Sequence, residues 1–257
     1  MTFLDDVLGA KRLEVELLRA EPPPSVMGGG GGVFASALRA PGLSVIAEIK
    51  RASPSKGVLA ADFDVAERVR AYEEAGARAI SCLTDRSFFG AHASDFAQAR
   101  AASLPVLRKD FLIDEVQIDQ SAAMGASAIL LIVRILEQAR LTALLRHATT
   151  RGLEVLVEVH DESEVDRALE AGASILGVNN RDLATLVVDP NRALRLRPRI
   201  PAGVVSVSES GVRTRDDVKR IKDAGFDAVL IGETLSRSAD PAATLRELKG
   251  EMPLVTR

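Results

Sequence analysis

A chain of 257 residues, 47% hydrophobic and 27% charged, holds enough apolar material for one large core or two small ones. Its formal net charge of -3 and 4% aromatic content, with no tryptophan, leave no basic footprint and no stacking platform, so nucleic acid is excluded as the main partner. The single cysteine, Cys82, excludes an internal disulfide framework, fits a reducing compartment and sits in a strand-like run as a small core residue.

Residues Phe3 to Ala20 read as an amphipathic helix, with Leu4, Val7, Leu8, Val15 and Leu18 at helical spacing among charges. The first residues are acidic and lack an apolar stretch, so no signal peptide is expected. The helix stops at Pro22-Pro23-Pro24, and the glycines from Gly28 to Gly32 read as a flexible linker. A short helix from Phe34 to Arg39 then leads to Pro41-Gly42.

From Leu43 onward apolar strands alternate with helical patterns. Strands are expected at Ser44–Lys50, Ala79–Thr84, Val106–Lys109, Ala128–Val133, Glu154–Val159, Ile175–Asn179, Val204–Val207 and Ala228–Ile231. Helices fall near Phe63–Glu74, Asp95–Ala102, Glu115–Met124, Glu137–Thr150, Glu162–Glu170, Asn191–Arg197, Arg215–Asp223 and Ala242–Lys249. The longest apolar run, Ala128 to Val133, is too short to span a bilayer, so no membrane partner and a cytoplasmic location are expected. This succession predicts an α/β fold, a (β/α)8 TIM barrel with an extra N-terminal helical segment. Residues 1–40 would form the helical extension with its Gly-rich linker, and 41–257 the barrel. A doubly wound open sheet is the alternative, but no Gly-rich fingerprint follows the first strand.

Both folds gather chemistry at the C-terminal ends of their strands. Residues two apart on a strand share a face, so Ile46, Glu48 and Lys50 point together, with Ser53 just beyond. Lys109 shares a face with Leu107 and Phe111, which makes Phe111 a substrate-contact candidate. Glu158 stands at the polar end of the fifth strand, and Asn179 and Arg181 at the end of the sixth. Lysines and glutamates near an apolar interior can hold different protonation states for acid–base work, or can form a structural ion-pair network. Ser210-Gly211 and Gly232-Glu233 stand where strands give way to helices. Each alone reads best as an ordinary turn, but the adjacent pair favours a phosphate seat. His92, His147 and His160 are scattered, so no metal is expected.

The run Val45-Ile46-Ala47-Glu48-Ile49-Lys50-Arg51-Ala52-Ser53-Pro54-Ser55-Lys56-Gly57 resembles the signature of the indole-3-glycerol-phosphate synthase family of tryptophan biosynthesis. The likeness continues in order through Val106–Phe111, Leu156–His160, Gly177–Leu183, Ser208–Gly211 and Leu230–Glu233, over nearly the whole chain. The resemblance implies ring closure, decarboxylation and dehydration of 1-(2-carboxyphenylamino)-1-deoxyribulose 5-phosphate, with no cofactor. It implies Lys109 as the acid at the carbonyl, Glu158 and Lys50 in proton transfers, Glu48 in support and Asn179 orienting the anilino end. Arg181 and Ser53 would meet polar groups including the carboxylate, and Ser210, Gly211, Gly232 and Glu233 would seat the phosphate. A monomer is expected, with a weak dimer as the alternative, and no fused second enzyme. Two departures stand out: Gly90 to Asp95 lengthens the loop after Phe88-Phe89, and Glu233 occupies a position where a small hydroxyl residue is common. Its carboxylate is expected to turn away from phosphate. The competing readings are a Schiff-base aldolase barrel using Lys109 and a non-catalytic barrel that binds phosphorylated sugars.

Overall fold

The computed structural model describes residues 3–21, 31–59 and 63–251. The proline run and the first three glycines of the linker lie outside the described residues. Eight parallel strands close into a barrel: β1 (Ser44–Ile49), β2 (Ala79–Leu83), β3 (Val106–Lys109), β4 (Ala128–Ile132), β5 (Glu154–Val159), β6 (Ile175–Asn179), β7 (Val205–Glu209) and β8 (Ala228–Ile231). Each strand pairs with its sequence neighbours, and β1 pairs with both β2 and β8, which closes the ring. The open-sheet alternative is thereby overturned.

Alternation along each strand separates two cores. Val45, Ala47 and Ile49 face outward into the layer between barrel and helices, with Tyr72, Leu141 and Leu245. Ile46, Leu107, Leu130, Leu156, Ile175, Val207 and Leu230 fill the barrel itself. Each such fully buried side chain contributes about 1.5–3 kcal/mol by leaving water, so the parity of every strand is strongly held.

The helices begin where the sequence offers caps. Asp64 accepts the N–H of Glu67 at 2.9 Å, so the expected helix from Phe63 starts at Val65 instead. Asp114 and Thr214 form capping boxes ahead of Glu115–Ala123 and Arg215–Asp223. β7 runs two residues past its expected end, because Ser208 and Glu209 keep their register with Val229 and Leu230 of β8. Short pieces escaped the periodicity altogether: the helical turns Arg86–Phe89 and Glu233–Ser236, and a small ribbon pairing Ala52–Ser53 with Gly57–Val58.

The N-terminal segment supplies two helices, α1 (Phe3–Ala20) and α2 (Val33–Leu38). The second closes the barrel floor. Phe34 and Leu38 are fully buried with Ala79, Ala128 and Ala228, the first residues of three strands, whose small side chains leave room for them. Glu154, at the start of β5, accepts the Phe34 and Ala35 N–H groups at 2.6 and 3.0 Å and so caps this plug from within.

α1 is tied down by a buried cation. Lys11 is 2% exposed, and its Nζ lies 2.9 Å from Asp85, 2.7 Å from Asp110 and 2.8 Å from Glu14. Burial works against its charge, but the carboxylates prevail and hold the ammonium above its ordinary value.

Candidate active site

At the C-terminal ends of the strands lies a cavity of about 430 Å³. Every side chain or turn singled out from the sequence lines it: Glu48, Lys50, Ser53, Lys109, Phe111, Glu158, Asn179, Arg181, Ser210, Gly211, Gly232 and Glu233. The placement follows from strand parity. Ile46 belongs to the barrel interior, so Glu48 and then Lys50 rise above it on the same face. Leu107 and Leu156 do the same for Lys109 and Glu158.

Lys109 is the centre of the charge arrangement. Its Nζ lies 3.5 Å from Glu158 Oε2 and 3.5 Å from Glu209 Oε2. The lysine side chain is 14% exposed against 1% for each glutamate, so the ammonium is the member of the trio that reaches the cavity. Burial opposes its charge, yet Glu158, Glu209 and Glu48 outweigh that and hold it protonated above the usual lysine value. The two carboxylates divide. Burial again opposes ionisation, but Lys109, His160 and Asn179 hold Glu158 ionised below the usual range. Glu209 is pushed up, first by burial and then, against the pull of Lys109, by the charges of Glu158 and Glu48. One site thus holds a proton donor, an ionised acceptor and a carboxyl inclined to keep its proton.

Glu209 is a titratable residue of the cavity that sequence reasoning missed. Its signal was present: Val205, Val207 and Glu209 alternate inward as Leu156 and Glu158 do, but a strand ended at Val207 hides it. Two glycines permit these close approaches. A Cβ at Gly177 would run into the Glu209 carboxylate, and one at Gly232 into the Glu48 carboxylate and the Lys50 ammonium. Lys50 donates to Glu48 at 2.5 Å, so the opening pair of charges satisfies itself at the cavity wall.

The turns after β7 and β8, where an anion seat is expected, both line the cavity. Ser210 and Gly211 both take positive φ, 64 and 88°. Ser210 is one of two non-glycine residues with positive φ among those described, a strained choice that needs a reason. Across the cavity Arg181 donates to Glu233 at 3.3 Å and to Ser55 at 3.3 Å, joining the β6 loop to the ribbon loop. The Glu233 carboxylate is held by Arg181 and, at 3.6 Å, by Arg237.

Aromatic rings form one wall. Phe3, the first residue of α1, meets Phe88 edge-on at 5.5 Å and Phe111 at 6.4 Å, and Phe89 lies 6.2 Å from Phe111. Phe3 and Phe89 both line the cavity and were not foreseen. The Gly90–Asp95 insertion is anchored beside them: Arg51 donates to Asp95 at 2.7 and 2.9 Å, which leaves His92 outside the cavity lining. Lys56, on the exposed ribbon turn, also stays outside it. Among the described residues no group of three histidine, cysteine or acidic side chains could hold a metal ion.

A closed parallel barrel with lysine–carboxylate pairs lining a cavity at one end defines a member of the (β/α)8 class, whose chemistry collects at that face. Solved barrels agree at the level of fold alone: 3-hexulose-6-phosphate synthase from Salmonella typhimurium superposes with a TM-score of 0.63 at 16% identity, over 81% of this chain and 97% of that one. Thiamine phosphate pyrophosphorylase from Pyrococcus furiosus gives 0.60 at 17% identity, over 83% and 96%. The family model for indole-3-glycerol phosphate synthase matches residues 32–248. The synthase of Chlorobium phaeovibrioides is 50% identical, over 93% of this chain and 96% of its own length. Indole-3-glycerol phosphate synthase 2 of Streptomyces coelicolor is 52% identical, over 91% and 89%. The chain belongs to the indole-3-glycerol phosphate synthase family.

Proposed function

We propose that this chain converts 1-(2-carboxyphenylamino)-1-deoxyribulose 5-phosphate to indole-3-glycerol phosphate, as a decarboxylating lyase without a cofactor. The observation that carries the reading is the Lys109 ammonium, held charged by Glu158 beside the Glu209 carboxyl, at the edge of a cavity that the turns after β7 and β8 also line.

The substrate's phosphate sits on the backbone N–H groups of Ser210–Gly211 and Gly232–Glu233, and its aryl ring packs against Phe3, Phe89 and Phe111. Arg181, Lys50 and Ser53 meet the carboxylate, and Asn179 orients the nitrogen end. Held at both ends, the molecule is folded so that its ring carbon faces the ketone. As that carbon attacks, Lys109 delivers a proton to the developing alkoxide, supplying charge and proton together. Carbon dioxide then leaves, and its bonding electron pair restores the aromatic ring. Loss of water needs a proton delivered to the new hydroxyl and one removed from the adjoining ring carbon. Lys50 and Glu158 are the donor and acceptor in this reading. Starting from the ionised carboxylate, one proton is taken up per turnover, and carbon dioxide and water are released.

The aldolase reading requires Lys109 as a neutral amine, and its carboxylate neighbours oppose that form. The test is indole fluorescence on mixing the purified protein with the substrate. Absence of the product sinks the proposal, and a borohydride-trapped lysine adduct replaces it with the aldolase.

A further inference from the structure

The catalytic carboxylate Glu158 has a second cation behind it. His160 lies two residues further along, its side chain fully buried and outside the cavity lining. Its Nε2 lies 3.3 Å from Glu158 Oε1, and its Nδ1 3.1 Å from Glu164 Oε2. The same Glu164 oxygen accepts the His160 backbone N–H at 2.7 Å. The other Glu164 oxygen accepts from Arg134 at 2.8 Å, and Arg134 reaches on to Asp182 at 3.2 Å and Asp161 at 3.5 Å.

Each ring nitrogen therefore faces a carboxylate oxygen. A neutral imidazole has one N–H and would turn a lone pair toward the other carboxylate, whereas an imidazolium offers a proton to both. The contact with Glu158 falls off the line of a hydrogen bond, so charge rather than bond geometry carries it. Burial opposes the charge on His160, but Glu158 and Glu164 together raise it to about 9. The groups facing the ring are Glu158 from β5 and Glu164 from the helix Glu162–Glu170. Arg134 stands behind Glu164, and Lys109 and Glu209 stand beyond Glu158.

Resting on the synthase reading above, we propose that His160 is a positioning residue: its imidazolium, clamped between Glu158 and Glu164, keeps Glu158 ionised and turned toward Lys109 for proton transfer. Lys109 alone leaves one Glu158 oxygen without a hydrogen bond, and His160 stands at that oxygen. The clamp also links the acid–base pair to the β6 loop through Glu164, Arg134 and Asp182. Arg181, one residue before Asp182, lines the cavity in that same loop.

Two measurements test this. The first compares kcat/KM of wild type and His160→Gln from about pH 6 to about pH 10. The ratio of wild type to variant is expected to shrink at least about fivefold across that range, as the imidazolium is lost from wild type. A ratio independent of pH, whether near one or uniformly large, overturns the proposal, since a structural role lowers the rate without reshaping the profile. The second depends on neither turnover nor the folding of His160→Gln. With His92 and His147 replaced by Gln, His160 is the remaining imidazole of the three histidines. Its NMR titration is expected to show a protonated ring beyond pH 8. A ring that titrates near the ordinary histidine value overturns the clamp. If wild type makes no indole product while the ring stays protonated, the synthase reading fails and the clamp geometry stands.

Discussion

Consecutive residues at and just past the end of β3 serve two buried charge clusters of opposite character. Arg108 and Asp110 belong to one that includes Lys11, Asp85 and Thr84, while Lys109 belongs to the other with Glu158 and Glu209. In the first, partners are complete. Asp110 accepts from Thr84 at 2.6 Å, from the Phe111 N–H at 2.8 Å and from Lys11, and Asp85 accepts the Phe88 N–H at 2.6 Å. None of Lys11, Asp85, Arg108 or Asp110 has a buried polar atom lacking a hydrogen bond among the described residues. In the second, one oxygen of Glu158 and both of Glu209 lack one, and the lysine stands 3.5 Å from each carboxylate. A fully paired buried charge cluster is costly to break, because removing one member leaves the others buried and unpaired. Buried charge left short of partners beside a cavity is ready to meet a substrate.

That contrast predicts separable losses. Lys109→Ala should cut turnover about a thousandfold or more, within the range for a lost general acid. Near-normal indole production by this variant would dissolve the distinction. Lys11→Met should do the reverse: stripping the cation from two buried carboxylates costs about 3–5 kcal/mol in a urea titration, while turnover per folded molecule stays within about tenfold of wild type. Glu209→Gln sharpens the catalytic side, and a fall in kcat of about a hundredfold is expected from losing an acid–base partner of Lys109. An unchanged kcat would remove Glu209 from the chemistry. The smallest effect is one of pH on stability. His160 titrates at about 9 when folded against 6.5 in the unfolded chain. Its contribution is therefore full below about pH 6.5 and is lost as the pH rises through 9. The urea midpoint should decline over that window in wild type and not in His160→Gln.

The fold was legible because strand and helix periods alternate regularly from Leu43 onward, and four strands begin and end where their patterns do. The strand-end rule then brought Glu48, Lys50, Lys109, Glu158 and Asn179 to one cavity from parity alone. What escaped depends on distance or brevity. Glu209 was lost to a strand ended too soon. Lys11 reads as one more charge on an amphipathic helix, since its partners Asp85 and Asp110 arrive only when β2 and β3 fold beside it. Phe3 enters the cavity for the same reason. His160 reads as scattered because its two carboxylates meet it only through the turn from β5 into the next helix. The turns Arg86–Phe89 and Glu233–Ser236 are shorter than two helical repeats and leave no periodic trace.

The plug made by α2 has a consequence for traffic. With Phe34 and Leu38 packed into the floor and Glu154 fastening the plug from inside, the barrel has no rear exit among the described residues. Substrate, carbon dioxide and the indole product must all pass one doorway, beneath the ribbon that Arg181 touches through Ser55. Gas and product depart by the path the next substrate must use, and each arriving phosphate needs the seat that the last one vacates. Indole-3-glycerol phosphate should therefore inhibit competitively against substrate, with a queue at the door.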